Sequence, residues 1–320
     1  MKCKVCREPA IIDMRRHNAN FCSDHFLKFC ADQTAKTIKE FGMLAQGERA
    51  LVAVSGGKDS LAIWDILLDL GYDADGLYVG LGIGDYSDTS GDYAREFATK
   101  RGATLIEVNL RNDYGFDVPT AAAATRRVPC SACGMSKRHI FDKAALDGGY
   151  DAVVTGHNLD DEAAVLYGNV MHWQVDYLGR QRPVLPASNG FPRKVKPLVR
   201  LGEREMAAYC VIKGIDYIVQ ECPMAVGNKH IGYKEALNEL ELASPGAKRD
   251  FYFGFLRNAV DRFATTSDAD KAALGTCSTC GGPAASDICA FCRLAEKASA
   301  IEPVPVAMPR RKKKAKNPVS

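Results

Sequence analysis

The sequence predicts an α/β catalytic body, built on a parallel sheet and flanked by a zinc-binding module at each end. Three observations carry that expectation. Strand-like apolar runs alternate with helical periods from residue 49 to residue 170, and such alternation builds parallel sheets covered on both faces. The first strand runs into a glycine-rich turn that opens a helix. Cysteines recur at both ends of the chain as Cys-x2-Cys or Cys-x2-His pairs, the spacing of metal knuckles.

Residues 1–30 are cysteine-rich without a long apolar period, and 31–41 read as a short helix. Residues 49–54 are an apolar strand, and 59–70 carry helical periodicity through Leu61, Ile63, Ile66, Leu67 and Leu70. A second strand is expected over 76–81, a helix over 92–101 stopped by Gly102, and a third strand over 103–109. A helix over 134–147, a strand over 151–155 and a helix over 160–170 complete the alternation. Residues 174–198 are rich in Pro, Gly and Arg and read as a loop, with two or three helices following between 202 and 263. Residues 265–271 read as a polar linker. The expected domains are an N-terminal zinc finger over 1–30, a catalytic domain over 31–264 with a helical C-terminal part, a zinc ribbon over 272–297 and a basic, disordered tail over 303–320.

Composition narrows the function classes. A chain of 320 residues, 47% hydrophobic and 25% charged, is an ordinary globular mixture and excludes a disordered, collagen-like or coiled-coil protein. The net charge is +3. Six basic side chains cluster at Arg310, Arg311, Lys312, Lys313, Lys314 and Lys316, and without them the body is net acidic, so any nucleic-acid surface must be local. The longest apolar runs, 50–54 and 76–84, fall short of the ~20 residues of a membrane span. A cytoplasmic, reducing setting is expected, where the twelve cysteines serve as metal ligands rather than disulfides.

The turn Ser55-Gly56-Gly57-Lys58-Asp59-Ser60 suits an anion. Its glycines let backbone N–H groups approach a phosphate, and the helix that follows presents free N–H groups and a positive dipole end. The spacing of a Walker loop is missing. The turn instead resembles the SGGxDS loop of the PP-loop ATP pyrophosphatases, which cleave ATP between its α and β phosphates and leave AMP on a substrate oxygen. A second signature of that superfamily, Thr155-Gly156-His157-Asn158-Leu159-Asp160-Asp161-Glu162, ends a later strand and opens a helix. Both fall at carboxyl ends of strands, where open α/β sheets bind ligands. The resemblance covers roughly residues 45–260. It implies an ATP site made by Ala53, Ser55, Gly56, Gly57, Lys58, Asp59, Ser60, Val79, Gly156 and Asp161, with the adenine near 80–87 and Mg2+ oriented by Asp59 and Asp161.

Cys130 and Cys133 form a central pair, and Cys222 stands alone much later. Three thiolates suit an iron–sulfur cluster with one iron free of cysteine, or else persulfide chemistry between two cysteines. This pattern resembles the TtcA/TtuA group of tRNA 2-thiolation enzymes. The resemblance implies that the three cysteines hold a [4Fe–4S] cluster whose open iron binds the sulfur to be transferred. Lys137, one helical turn beyond the pair, would neutralise phosphate charge or polarise the base. The implied partners are tRNA and a ubiquitin-like sulfur carrier with a C-terminal thiocarboxylate, and the enzyme is expected to be a homodimer.

Cys3, Cys6, Cys22 and His25 form one four-ligand zinc set, and Cys277, Cys280, Cys289 and Cys292 a second. Both are closed sets, which points to folding rather than catalysis. Zinc modules at both ends mark the TtuA type and the related wobble-uridine thiolases. Cys30 and Cys210 have no partner spacing and are expected in the core. Lys229, His230, Lys234, Lys248, Arg249 and Arg257 are candidate phosphate contacts in the helical part.

The function expected is ATP-dependent 2-thiolation of uridine or ribothymidine 54 of tRNA. The base oxygen is adenylated, then exchanged for sulfur as AMP leaves. Wobble-uridine 34 thiolation is the first alternative. A different PP-loop ligase would not need Cys130, Cys133 and Cys222, and a zinc-ribbon RNA-binding scaffold would not need an intact ATP loop.

Overall fold

A computed structural model describes residues 1–225, 229–264 and 274–306. The N-terminal module pairs β1 (Ile12–Met14) with β2 (Ala19–Phe21) and leads into α1 (Ser23–Phe41). The body then alternates through β3 (Arg49–Val54), α2 (Lys58–Asp69), β4 (Asp73–Gly80), α3 (Gly84–Arg101), β5 (Leu105–Asn109), α4 (Leu110–Tyr114), α5 (Val118–Thr125), α6 (Pro129–Asp147), β6 (Ala152–Thr155) and α7 (Leu159–Met171). After α8 (Val175–Leu178) come β7 (Val184–Leu185), β8 (Arg193–Val195), α9 (Glu203–Lys213), α10 (Lys229–Ala243), α11 (Ala247–Asn258) and α12 (Val260–Ala264). The C-terminal module holds β9 (Gly275–Thr276), β10 (Pro283–Ala284) and α13 (Ala290–Ser299).

The central sheet runs β5-β4-β3-β6-β8-β7, parallel except for the last pairing. Strand alternation divides the core. Ala50, Val52 and Val54 of β3 pack with α1, α2, α9 and the N-terminal module, while Leu51 faces α5, α6 and the C-terminal module. The two modules therefore cover opposite faces of one sheet. Cys30 and Cys210 are fully buried, as expected.

Several elements differ from the expectation, each for a local reason. Helix α1 begins at Ser23, not 31, because Cys22 caps it and its first turn carries His25. Helix α3 begins at Gly84, not 92; its polar first turns hide the apolar period, and Ser87 and Ser90 are buried on it. Helix α6 begins at Pro129, which suits a first helical position, so Cys130 and Cys133 lie on one face of its opening turn. The stretch read as a loop over 174–198 contains α8, β7 and β8, strands too short to leave a periodic signal. Four helices, not two or three, lie between 202 and 264 among the described residues. The tail's first residues are tied down: Val304 N–H donates to Thr120 Oγ1 at 3.0 Å, and Val306 packs on the core. The linker over 265–271 and the basic cluster at 310–316 lie outside the described residues.

Candidate functional site

The glycine loop joins the end of β3 to α2, and the loop after β6 opens α7 beside it. Gly56 has φ +70°, and a Cβ there would collide with the Ser90 backbone, so the loop needs glycine both for its turn and for its packing. At Gly156 a Cβ would meet Asp59 C and Ser60 N at 2.8 Å, so the two loops touch backbone to backbone. Ser60 Oγ accepts from Ser55 N–H at 3.0 Å and donates to Gly57 O at 2.9 Å, fixing the turn from within.

Helix α7 is held by a reciprocal cap. Asn158 Oδ1 accepts from Asp160 N–H at 2.8 Å and Asp161 N–H at 3.2 Å, while Asp161 Oδ2 accepts from Asn158 N–H at 3.1 Å. Asn158 Nδ2 also donates to Asp59 Oδ1 at 2.9 Å, tying both loops together. Ala53, Ser55, Asp59, Ser60, Val79, Lys137, Gly156 and Asp161 all line one cavity of about 360 Å³. Gly56, Gly57 and Lys58 do not line it. The Lys58 ammonium is held by Asp59 at 3.1 Å and Glu203 at 2.8 Å. Burial pushes the Asp59 carboxyl up, and the Asp161 charge adds to that against the opposing pull of Lys58. A divalent cation between the two carboxylates would relieve this repulsion. His157 faces the same cavity and shares a hydrogen bond with Thr155 Oγ1 at 2.8 Å through Nδ1. Although open to the cavity, it sits deep in protein, and desolvation lowers its pKa.

The three central cysteines act electrostatically on one another and on Lys137 or Tyr86, two residues that line this cavity. Ile218 N–H donates to Gly56 O at 2.9 Å, which lays the segment leading to Cys222 across the glycine loop. Burial raises the Cys222 thiol, and the charges of Cys133 and Cys130 raise it further, opposed by Lys137. Burial and the Cys133 charge act likewise on Cys130. Burial also pushes the Tyr86 phenol up to about 12, with Cys222 the next contributor. Lys137 thus stands between cavity and thiols. The three sulfurs are not drawn within 4.8 Å of one another as the terminal sets are.

The terminal sets fit one ion each. Cys3, Cys6, Cys22 and His25 bring their ligand atoms within 4.8 Å of one another, as do Cys277, Cys280, Cys289 and Cys292. Two thiolates ~2.3 Å from a tetrahedral zinc stand ~3.8 Å apart. The Cys6–Cys22 and Cys280–Cys289 sulfur pairs are separated by 3.7 Å and 3.8 Å. Backbone N–H groups, first that of Cys289, hold the Cys277 thiol down at about 6.

Sequence reasoning missed Glu203 and gave Lys234 and Lys248 roles that the structure revises. Lys248 is buried and bonded to Asp160 and Asn238, so it ties α11 to α7 and α10 rather than meeting phosphate. Lys234 joins the cavity's rim through Asp161 and Glu203. Glu203 opens α9 behind a glycine, a setting without a chemical signal in the sequence.

Residues 2–27 match the family model described as "2-thiouridine synthetase TtuA, N-terminal LIM domain". The chain is 48% identical to the tRNA-5-methyluridine(54) 2-sulfurtransferase of Thermus thermophilus over 92% of its length and 91% of that protein. It is 41% identical to the Pyrococcus horikoshii protein of the same name, over 92% and 93%. Among solved structures, the U34-tRNA thiolase NcsA of Methanococcus maripaludis with its [4Fe–4S] cluster superposes with a TM-score of 0.77 at 24% identity, over 95% of this chain and 98% of that one. The parallel sheet, the paired loops and this extent of identity have one consequence: the chain belongs to the family of tRNA-5-methyluridine(54) 2-sulfurtransferases.

Proposed function

We propose that this chain exchanges the C2 oxygen of the uridine-type base at position 54 of tRNA for sulfur, at the cost of ATP. The observation that carries the reading is one cavity lined by Ser55, Asp59, Ser60 and Asp161 together with Lys137, which lies one helical turn beyond Cys133. Backbone N–H groups of the 55–60 loop and the N-terminus of α2 would receive the phosphates. Asp59 and Asp161 would hold Mg2+, which lowers the triphosphate's negative charge when bound. The base O2 would then bond to the α-phosphorus as the bond to the bridging oxygen breaks and pyrophosphate leaves. Lys137 is positioned to offset charge that grows on phosphate and base oxygen. Sulfur replaces that oxygen in the second half-reaction, and AMP departs carrying it.

Cys130, Cys133 and Cys222 would hold a [4Fe–4S] cluster, which, with three protein thiolates, supplies one iron open to sulfur. Cys133 and Cys222 are half-buried and Cys130 is exposed, which leaves the set open to an incoming sulfur donor. The two terminal sets would hold one Zn2+ each and brace opposite faces of the sheet. We extend the reading to a ubiquitin-like thiocarboxylated protein as sulfur donor, a homodimer and a cytoplasmic setting. No helix among the described residues is long and apolar enough to cross a membrane. The 310–316 basic cluster would add phosphate contacts without reading sequence.

Nucleoside mass spectrometry of tRNA from a deletion strain tests the assignment. Loss of 2-thioribothymidine is expected. Loss of a wobble thiouridine alone would move the target to position 34, and unchanged thionucleosides would reject the function.

A further inference from the structure

The turn after α7 leaves Met171, Trp173, Val175 and Tyr177 on the surface, with Trp173 71% exposed. Trp173 has φ +48°, a left-handed conformation that bulky L-residues rarely adopt. The turn is fastened around it: Trp173 N–H donates to Val170 O at 3.1 Å, Gln174 N–H to Asn169 O at 2.9 Å and Val175 N–H to Trp173 O at 3.0 Å. Folding gains little from a strained backbone that holds an indole in water, so the arrangement points to a ligand.

The surroundings select its chemistry. Arg180 N–H donates to Tyr177 O at 3.1 Å, which closes the backbone of the turn three residues after Tyr177. Arg180 and Lys229 are exposed, and neither has an acidic partner among the described residues. The surface is also continuous with the reaction cavity. Tyr233 of α10 hydrogen-bonds His172 at 2.9 Å, while its neighbour Lys234 pairs with Asp161 at 2.6 Å. From Asp161 to His172 the axis of α7 runs ~16 Å at ~1.5 Å per residue, roughly the length of five stacked nucleotides at ~3.4 Å each.

We infer that Trp173, with Tyr177 and Arg180, is a stacking platform for an unpaired base of the RNA substrate. The inference rests on the tRNA reading above. Every base offers a π-face to a rigid aromatic, and an arginine can stack or meet the adjoining phosphate. A second copy of the chain fits less well, because a two-fold seam centred on this turn would bring like cations together.

The chain has two tryptophans, and Trp64 is fully buried, so an emission change on RNA binding reports Trp173. With full-length protein and an unmodified tRNA transcript, quenching is expected on binding. Trp173→Ala should weaken binding roughly tenfold, about 1.4 kcal/mol, with an unchanged salt slope, and Trp173→Phe should recover most of it. Arg180→Ala should lower the salt slope by about one. If wild type binds and thiolates the transcript while its emission is unchanged and Trp173→Ala binds within about twofold of wild type, the platform is overturned and the function stands. If Trp173→Ala abolishes self-association at unchanged RNA affinity, the surface belongs to a second copy and the inference is overturned. If wild type neither binds nor thiolates any tRNA, the function itself fails and this inference with it.

Discussion

Lys234 Nζ lies 2.6 Å from Asp161 Oδ1, joining a helix of the C-terminal part to the first turn of α7. The same ammonium stands 3.3 Å from Glu203 Oε2, while Glu203 Oε1 accepts from Lys58 at 2.8 Å. Burial works against the charge on Lys234, yet the Asp161 and Glu203 carboxylates outweigh it and hold the ammonium above the ordinary lysine range. An arriving triphosphate therefore competes with carboxylates for two cations already drawn to the cavity's rim. Lys234→Met should weaken ATP binding roughly tenfold, about 1.4 kcal/mol, and slow turnover further because Asp161 loses its counter-charge. Lys234→Arg should recover part of both. Titration calorimetry and single-turnover assays read the two effects, and wild-type values for the methionine variant would exclude Lys234 from the site.

Gly56→Ala tests the glycine loop with one methyl group. A left-handed L-residue costs on the order of 1–2 kcal/mol, and the new Cβ would overlap the Ser90 backbone. The expected result is lost ATP binding and a lower thermal midpoint. Normal ATP affinity in a folded variant would move the phosphate site elsewhere.

These two tests mark where the sequence was readable. The 55–60 loop and the terminal cysteine sets are local: their chemistry lies within a few residues, so spacing alone declares it. Cys222 is different, since nothing beside it in sequence pairs it with Cys130; only the crossing of Ile218 over Gly56 brings it in. The Lys234–Asp161 and Lys58–Glu203 pairs join residues far apart in the chain, and each member alone looks like a solvated charge. Helix α3 was foreshortened because Asp85, Ser87, Asp88 and Ser90 give its first turns no apolar stripe. Strand β8 escaped because three residues among prolines and arginines carry no period, though they pair with β6 and extend the sheet.

Acid should loosen the C-terminal module. His139 stacks on Phe291 with ring centroids 3.9 Å apart, and its Nε2 is buried without a hydrogen-bond partner among the described residues. Burial, then the Lys143 charge, lowers its pKa from 6.5 to about 4. The unfolded chain therefore binds the extra proton first, so this histidine's contribution is intact above pH 6.5 and is lost progressively as pH falls toward 4. His139→Phe should flatten the stability-versus-pH curve in that window. Identical slopes for the two proteins, measured by denaturant unfolding, would remove His139 from the acid response.

Metal analysis of Cys280→Ser addresses the zinc sets. Zinc should fall from about two ions per chain to one, as expected for a closed four-ligand site that loses a thiolate. Because α13 packs against α5 and α6, local protection from hydrogen exchange should drop there, while ATP binding at the far ends of β3 and β6 persists. Unchanged zinc content would contradict the assignment.

Cys130, Cys133 and Cys222 carry the remaining step, and their environment makes a specific demand. All three are free thiols, and burial together with their mutual charge raises Cys130 and Cys222. Unmetallated, Cys130 and Cys222 would be protonated and poor nucleophiles near neutral pH. Metal binding reverses that logic by holding them as thiolates. Each serine replacement should therefore lower iron content and abolish thiolation in the same measure, with ATP binding largely preserved because none of the three lines the phosphate loop. Anaerobic reconstitution of wild type with iron and sulfide should restore activity, and air should remove it. A persulfide route predicts the opposite: turnover in iron-free protein supplied with a sulfur donor, and a persulfide trapped on one cysteine. Full activity without iron would reject the cluster while leaving the tRNA sulfurtransferase intact, since the proposed roles of the 55–60 cavity and Lys137 serve either route.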